Sequence, residues 1–291
     1  MGTFDGLHIG HLHVLEQLKK MATEVGGESV ILTFWPHPKM VLSNKKINLL
    51  NAFEEKIGLF EQARIDHLVI LDFTKELAAI GYEEFVSDIL ISKIGMKHLI
   101  FGYDHRFGRN GEGTFEKLKP LTKQYGFKLH QLSEIRLGHA ISSTRIRHAL
   151  EGGRVSEANK MLGYNYKLTG TVVHGEQLGR KLGFATANID VTCSYKLIPQ
   201  HGVYACKAIV ENKCYPAMMN IGTKPTVKSD SRESIEVHII DFEQDIYGET
   251  ISVEILDKLR DEQKFSSLKI LKEQLDNDKA ATLLRFSEMI F

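Results

Sequence analysis

The chain carries the stretch GTFDGLHIGH at residues 2–11, directly before a predicted helix. His8 and His11 stand at the helix start, where backbone N–H groups and the helix dipole favour an anion. Gly6 and Gly10 allow a phosphate to approach the backbone closely, and two imidazoles could donate hydrogen bonds to its oxygens as charge develops. The alternative interpretation of the same residues is a glycine-rich turn with two surface histidines. We favour phosphate chemistry because the whole stretch, rather than an isolated HxxH, stands in this context.

The residues that follow this stretch alternate between helical and strand patterns. Helices are predicted over residues 12–25, 52–64, 82–94 and 114–125, and strands over residues 29–34, 66–72, 97–103 and 127–132. Apolar strands that alternate with helices predict an α/β domain whose parallel sheet is covered on both faces. Such a sheet should begin with a strand that leads into residues 2–11, but Met1 directly precedes Gly2. We therefore expect either a start farther upstream or a sheet that lacks its first, inner strand.

The pattern changes near residue 164. Strands are predicted over residues 166–174, 202–210, 213–221, 234–241 and 250–259. Short strands without intervening helices predict an antiparallel barrel or sandwich, and two amphipathic helices near 266–276 and 278–290 follow them. The change predicts two domains, residues 1–160 and residues 161–291.

Composition limits the classes of protein that the chain can belong to. Lysine plus arginine and aspartate plus glutamate both total 37, so the formal charge is zero and gives no electrostatic reason to bind nucleic acid or an anionic membrane. The three cysteines, Cys193, Cys206 and Cys214, show no metal-ligand spacing and predict neither a disulfide framework nor a zinc ribbon. No apolar stretch approaches the roughly 18 residues of a membrane span, and no signal peptide is recognised. A cytoplasmic protein is expected.

A glycine-rich loop, HGEQLGRKLGFATAN, follows the first strand of the second half. Gly175, Gly179 and Gly183 allow successive backbone N–H groups to wrap phosphates. Thr186 and Asn188 offer neutral oxygens to a hard cation such as Mg²⁺. From spacing alone, a long glycine-rich hairpin connection is an equally good interpretation.

Residues 2–11 resemble the HxGH signature of the nucleotidyltransferase superfamily, and in their wider form the N-terminal domain of the bacterial bifunctional riboflavin kinase/FAD synthetase family. FWPHP at 34–38, GYDHRFG at 102–108 and ISSTRIR at 141–147 match further segments of that family in order. The resemblance implies a Rossmann-like FMN adenylyltransferase domain. The residues that it implies are His8 and His11 for catalysis, Gly2, Thr3, Phe4, Asp5, Gly10, Ser143, Thr144 and Arg145 for ATP phosphates, and His37, Asp104 and Arg106 for an FMN/ATP loop.

Each of these segments has a simpler interpretation when it is taken alone. Ser143 is a natural helix N-cap, and hydroxyls with Arg145 at a helix start could hold a polyphosphate or could only cap the helix. His37 could be a rigid loop residue between two prolines, and Asp104 with Arg106 could form an ion pair. The order of the segments along the chain is what favours the functional interpretation.

The glycine-rich loop of the second half resembles the riboflavin kinase signature GxxxGRxLGFPTAN, with Ala185 where the family usually has proline. The resemblance implies an antiparallel β-barrel kinase domain in which Glu236 is the general base for the riboflavin 5′-hydroxyl. An ordinary solvated strand residue is the alternative for Glu236. The other residues that it implies are Gly175, Gly179, Arg180, Gly183, Thr186 and Asn188 for ATP, Thr186 and Asn188 for Mg²⁺, and Arg260, Glu262 and Phe265 for the flavin.

The resemblance covers essentially the whole chain and predicts an enzyme that makes FMN from riboflavin and then FAD from FMN. Its partners would be riboflavin, FMN, FAD, ATP and Mg²⁺, with no nucleic acid and no membrane, in a monomer or weak oligomer. Two alternatives remain open from the sequence. The first is a kinase whose N-terminal domain is inactive because its first strand is missing, and the second is a flavin-binding protein without turnover.

Overall fold

The computed structural model describes residues 1–43, 46–102, 105–133, 136–175, 179, 182–224 and 232–288. By its internal contacts the chain divides into two compact units, Met1–Ser142 and Ser143–Phe291. Within the described residues, no helix combines the length and the apolar character needed to cross a bilayer.

The first unit alternates helices with strands, as the sequence predicts. Its elements are α1 (Ile9–Val25), β1 (Val30–Trp35), α2 (Pro38–Leu42), α3 (Phe53–Ala63), β2 (His67–Asp72), α4 (Lys75–Ala79), α5 (Tyr82–Glu84), a π-helix (Phe85–Lys93), β3 (His98–Phe101), a 3₁₀ turn (Arg109–Gly111), α6 (Phe115–Tyr125), β4 (Lys128–Gln131), β5 (Arg136–Leu137) and β6 (His139–Ala140). The single helix expected over 82–94 is thus a short α-helical turn that continues as a π-helix.

The parallel strands form two separate pairs. β1 pairs with β2 from Val30↔His67 onward, and β3 pairs with β4 from His98↔Lys128 onward. Residues 1–8 form no strand, and the Gly2 N–H donates to the Leu32 carbonyl at 3.0 Å. The pairing confirms the predicted parallel strands. β2 is less covered than predicted, because several of its side chains are exposed to solvent.

Two apolar clusters form the core of the first unit. One contains the buried Val86, Phe101 and Leu118. The other contains Phe4 and Leu7 together with residues of α1, β1 and α3. Phe4 and Leu7 of the stretch 2–11 are therefore part of the core, and they fix the course of the backbone around His8.

The second unit begins with two helices and then forms a closed barrel in the strand order β10-β11-β8-β7-β12-β9. Its elements are α7 (Ser143–Glu151), α8 (Val155–Leu162), β7 (Tyr166–Val173), β8 (Ala187–Asp190), β9 (Gly202–Val210), β10 (Lys213–Lys224), β11 (Arg232–Ile239), β12 (Thr250–Arg260) and α9 (Leu268–Ser287). The barrel confirms the predicted antiparallel architecture. β8 was not predicted, because its four residues include an asparagine and an aspartate and show no apolar alternation.

The compact units divide before α7 and α8, whereas the sequence predicts a boundary near residue 160. Asn159 explains why α8 packs with the barrel. Its Nδ2 donates to the Ile255 carbonyl at 2.8 Å, and its Oδ1 accepts from the Tyr166 N–H at 2.8 Å. The boundary between functional domains stays a prediction.

The C-terminal segment is one helix, α9, so the prediction of two helices was wrong. The two predicted helices divide within the run Asp276-Asn277-Asp278, and Asp and Asn are poor residues for a helix interior. The structure instead buries the Asp278 carboxylate, which accepts from Arg260 Nε at 3.0 Å and Nη2 at 2.9 Å and from Gln274 Nε2 at 2.8 Å. These bonds stabilise Asp278 inside the helix and attach α9 to the end of β12.

This ion pair gives a stability prediction. Asp278→Asn leaves the Arg260 charge without its counter-ion, so we expect the free energy of unfolding of the second unit to fall by about 3 kcal/mol. The exposed Asp276 on the same helix supplies the control variant Asp276→Asn, which should change little. Urea unfolding followed by far-ultraviolet circular dichroism measures the effect. The single tryptophan, Trp35, reports the first unit, and its fluorescence midpoint should not move. Equal midpoints for the two variants would contradict the prediction.

Candidate active sites

His8 and His11 lie together at the start of α1. His8 is the N-cap residue, and its Nδ1 accepts from the His11 N–H at 3.3 Å. The two rings stack with centroids 3.6 Å apart and an angle of 13° between their planes, while Phe4 meets His11 edge-on at 5.2 Å. Because Nδ1 of His8 accepts a hydrogen bond, the neutral ring carries its proton on Nε2. The predicted pair is thus brought together, with an imidazole donor at a helix N-terminus.

The backbone before His8 follows a strained turn. Phe4 and Leu7 have φ values of 47° and 33°, in the left-handed region that residues other than glycine rarely adopt. Burial of both side chains holds them there. The predicted phosphate-binding residue Asp5 is 5 % exposed, and its Oδ1 accepts from the Leu50 N–H at 2.8 Å. The Asp5 carboxylate therefore anchors the turn to the core, whereas a role at phosphate would fall to the backbone of Gly2, Thr3 and Gly10.

Burial keeps the histidines of this site neutral. It lowers the pKa of His8 to about 4 and that of His11 well below its usual range. Charge repulsion with a protonated His8, with Lys56 and with a protonated His105 lowers the pKa of His11 further. At neutral pH both imidazoles can donate a hydrogen bond, and neither carries charge.

Lys56 and His105 are two residues of this site that the sequence interpretation missed. Lys56 lies on the buried side of α3, and the presence of a lysine between Phe53 and Phe60 on that side was the available signal. His105 lies edge-on to Phe101, and burial lowers its pKa to about 3. Its Nε2 is buried, and no hydrogen-bond partner for it is found among the described residues.

Of the other predicted residues of the first unit, the structure describes His37 and Arg106. The His37 Nδ1 accepts from the Lys39 N–H at 3.1 Å and caps α2, so His37 is a capping residue. Arg106 is exposed in the loop that ends at the Phe107–Gly113 bridge. Asp104 lies outside the described residues.

Ser143, Thr144 and Arg145 lie in the first turn of α7, in the second compact unit. The helix begins at Ser143, so Ser142, and not Ser143 as predicted, occupies the flanking position. Nη2 of Arg145 is 3.8 Å from Glu157 Oε1. The assembly of this turn with His8 and His11 stays a prediction.

The buried neutral histidines predict how the stability of the first unit depends on pH. A histidine whose pKa is lowered in the folded state binds fewer protons than in the unfolded chain, so stability is lost as the pH falls below 6.5 toward the folded pKa. We expect up to about 1.4 kcal/mol per pH unit for each such histidine. His105→Phe keeps an aromatic ring beside Phe101 and Phe107. It should reduce the slope of the unfolding free energy against pH, between pH 6.5 and 5, by up to the contribution of one histidine, about 1.4 kcal/mol per pH unit. Urea midpoints from Trp35 fluorescence measure it, and an unchanged slope would contradict the assignment.

In the barrel, neighbouring strands place three polar residues side by side. Glu236 of β11 pairs with Asn188 of β8 on one side and with Asn220 of β10 on the other. Thr186 Oγ1 donates to Glu236 Oε2 at 3.5 Å, and Ser234 Oγ donates to Oε1 at 3.4 Å. The predicted Thr186, Asn188 and Glu236 are therefore brought together. Asn220 and Ser234 were missed as candidates. Only strand register reveals that Asn220 adjoins Glu236, whereas Ser234, two residues before Glu236 on the same strand, could have been found from strand alternation.

Close contacts require two glycines of the loop before β8, and a positive φ requires a third. A Cβ at Gly175 would overlap the Asn188 side-chain amide, and one at Gly179 would overlap the Phe184 carbonyl. Gly183 has a φ of 82°. Arg180 lies outside the described residues.

His238 fixes the end of this loop. Its Nδ1 donates to the carbonyl of Ala185 at 2.8 Å, and burial lowers its pKa, so the ring is neutral. The bond holds the residue that stands in place of the family's proline. It thereby positions the neighbouring Thr186.

The residues predicted for the flavin lie where β12 ends. Glu262 lies against Gly222, and its Oε1 accepts from Asn220 Nδ2 at 3.4 Å. Phe265 lies over the Arg260 guanidinium, 5.5 Å from ring centroid to Cζ. Arg260 itself is bound to Asp278, so the structure gives it an ion-pair role, and contact with a flavin stays a prediction.

The donor set of the barrel site fits Mg²⁺. Thr186 supplies a hydroxyl and Asn188 an amide carbonyl, both next to Glu236, and oxygen ligands are those that Mg²⁺ prefers. Among the described residues, no group of three or more His, Cys, Asp and Glu side chains could hold a metal. A divalent cation here would thus depend on neutral oxygens and on the phosphates of a nucleotide.

The first unit has parallel strands and an HxGH sequence at a helix start, and the second is a closed barrel with a glycine-rich loop. Together they define the class of two-unit enzymes that transfer phosphoryl and adenylyl groups from ATP. The model of the FAD synthetase family matches residues 1–145, and that of the riboflavin kinase family matches residues 162–285. The chain belongs to the family of bifunctional riboflavin kinase/FMN adenylyltransferases, which confirms the resemblance seen in the sequence.

Individual relatives agree with this assignment. The bifunctional riboflavin kinase/FMN adenylyltransferase of Listeria monocytogenes is 37% identical, over 99% of this chain and 92% of its own length. The protein of the same name from Escherichia coli is 34% identical, over 96% of this chain and 89% of its own. A crystal structure described as a macrolide-efflux protein from Streptococcus pneumoniae is 31% identical with a TM-score of 0.89, and the match covers 97% of this chain and 92% of that one.

Proposed function

We propose that this chain phosphorylates riboflavin to FMN with ATP and then adenylylates FMN to FAD with a second ATP. The observation that carries the proposal is the placement of Glu236 beside Thr186 and Asn188 on adjoining barrel strands. A base and a set of oxygen donors lie in one place, as phosphoryl transfer to an alcohol needs.

The two alternatives are less well supported. A non-catalytic flavin binder would not need a carboxylate beside the nucleotide loop. A kinase with an inactive first domain is disfavoured because the FAD synthetase family model matches residues 1–145. Relatives of nearly the same length are also named for both activities, riboflavin kinase and FMN adenylyltransferase.

In the kinase reaction, Glu236 accepts the proton of the riboflavin 5′-hydroxyl while that oxygen attacks the γ-phosphorus of ATP. The new oxygen–phosphorus bond forms as the bond to the bridging oxygen breaks, and ADP leaves with the negative charge. The hydroxyls of Thr186 and Ser234, which lie near the two carboxylate oxygens, orient the base.

The nucleotide of this reaction would lie along the glycine-rich loop, with backbone N–H groups toward its phosphates. Thr186 and Asn188 would hold Mg²⁺, which neutralises charge on the phosphates when bound. The flavin would lie toward Glu262 and Phe265, with Arg260 at the base of that segment.

In the adenylyltransferase reaction, an oxygen of the FMN phosphate attacks the α-phosphorus of ATP and pyrophosphate leaves. This nucleophile needs no base, because a phosphate monoester is mostly dianionic at neutral pH. The protein therefore acts by position and by hydrogen-bond donation. We assign these tasks to His8 and His11 with the turn around Gly2, Thr3, Phe4, Asp5 and Gly10, to Ser143, Thr144 and Arg145, and to the loops of His37, Asp104 and Arg106.

We also propose a cytoplasmic enzyme that is a monomer or weak oligomer and does not bind nucleic acid. All three cysteines are free, as in a reducing compartment. The formal charge of zero offers no field to attract a polyanion.

The Glu236→Gln variant tests the kinase assignment. Glutamine keeps the shape of the side chain but cannot accept the proton, so riboflavin phosphorylation should fall by about 10²- to 10⁴-fold. FAD formation from supplied FMN by the same preparation is the internal control and should be unchanged. Chromatographic separation of the flavins measures both. A variant that binds riboflavin and ATP but phosphorylates at the wild-type rate would contradict the role of Glu236.

A further inference from the structure

Helix α3 supports the turn around residues 2–7 through a buried lysine. Lys56 is 8 % exposed, and its Nζ donates to the Thr3 carbonyl at 2.8 Å and to Thr33 Oγ1 at 2.7 Å. One helical turn later, Phe60 packs edge-on against Phe4 with centroids 5.5 Å apart. A polar and an apolar contact from the same helix therefore hold the two residues at which the strained turn begins.

Burying the ammonium group of a lysine to hold a turn costs desolvation free energy. Burial lowers the pKa of Lys56 to about 8, although the nearby Asp5 raises it. Lysine is seldom fully buried unless it is paired, and an apolar residue of the same volume often stabilises a core as well or better. Packing alone gives no reason for an ammonium group at this position.

The electrostatics of the histidine pair gives a reason. His8 and His11 are neutral because they are buried. The groups whose potential acts on His11 are His8, His105 and Lys56, and His105 is neutral as well. Of these groups, Lys56 carries the positive charge at neutral pH, and ATP brings several negative charges to a site of this kind.

We propose that Lys56 is a positioning residue of the adenylyltransferase site. Its ammonium holds the Thr3 carbonyl and thereby the turn that leads to His8, and it supplies the positive charge that the neutral histidines lack. The inference rests on the proposed role of His8 and His11 in binding the phosphates of ATP. Lys56 itself bonds to the protein and acts on ATP through the turn and through its charge.

The Lys56→Met variant tests this inference, because methionine keeps much of the stem and removes the ammonium. In FAD formation from FMN, kcat/KM for ATP should fall about 10- to 100-fold, mostly through a higher KM. Riboflavin phosphorylation by the same protein should be unchanged. Thr33→Val removes one of the two acceptors but keeps the charge, so its effect should be several-fold smaller.

Lys19→Met is the matched control. Lys19 Nζ also donates to a backbone carbonyl, that of Ala63 at 2.9 Å, but away from the turn. We expect it to leave the KM for ATP at the wild-type value. Trp35 fluorescence midpoints and the fraction of active protein separate folding from function in every variant.

Three results would overturn the inference. In the first, Lys56→Met lowers the active fraction while the KM for ATP stays at the wild-type value, which is what a purely structural lysine would give. In the second, Lys56→Met has no effect while His8→Asn abolishes FAD formation, so the inference fails and the proposed site stands. If His8→Asn instead keeps full FAD formation, the proposed histidine site itself fails, and the inference that rests on it fails too.

Discussion

The barrel site depends on the cross-strand pairing of Glu236 with Asn188 and Asn220. Directly paired residues present their side chains on the same face of a sheet, about 5 Å apart. The short strand β8 is therefore decisive, because without it neither Asn188 nor the Thr186 before it would reach Glu236. The glycine-rich loop ends where β8 starts, and this brings the loop proposed to bind the nucleotide and the proposed general base to one place.

In the first unit, a packed backbone turn, rather than strand pairing, positions His8 and His11. The turn before α1 adopts left-handed backbone conformations at Phe4 and Leu7, and core packing holds it. Asp5 and Lys56 add buried polar contacts to the segment around Leu50 and to β1. Burial keeps His8 and His11 neutral, so the phosphate site that we propose here relies on hydrogen-bond donation and on the charge of the neighbouring Lys56.

Much of the fold and of the candidate sites could be predicted from the sequence, because motifs are local. The strands around Ile31 and Val237, the helix after His8 and the loop before Thr186 all follow from spacing. Contacts between distant segments were missed. Lys56 meets Thr3 across 53 positions, Arg260 meets Asp278 across a loop, and β8 exists because of its partners. The Arg260 contact also made the prediction of two C-terminal helices wrong.

The most direct test of the central claim, two successive transfers by one chain, is a time course of flavins. Purified protein is incubated with riboflavin, ATP and Mg²⁺, and riboflavin, FMN and FAD are separated by chromatography. The account predicts that FMN rises first and then falls as FAD appears. FMN that accumulates without FAD would contradict the assignment of the first unit, and unchanged riboflavin would contradict the account as a whole.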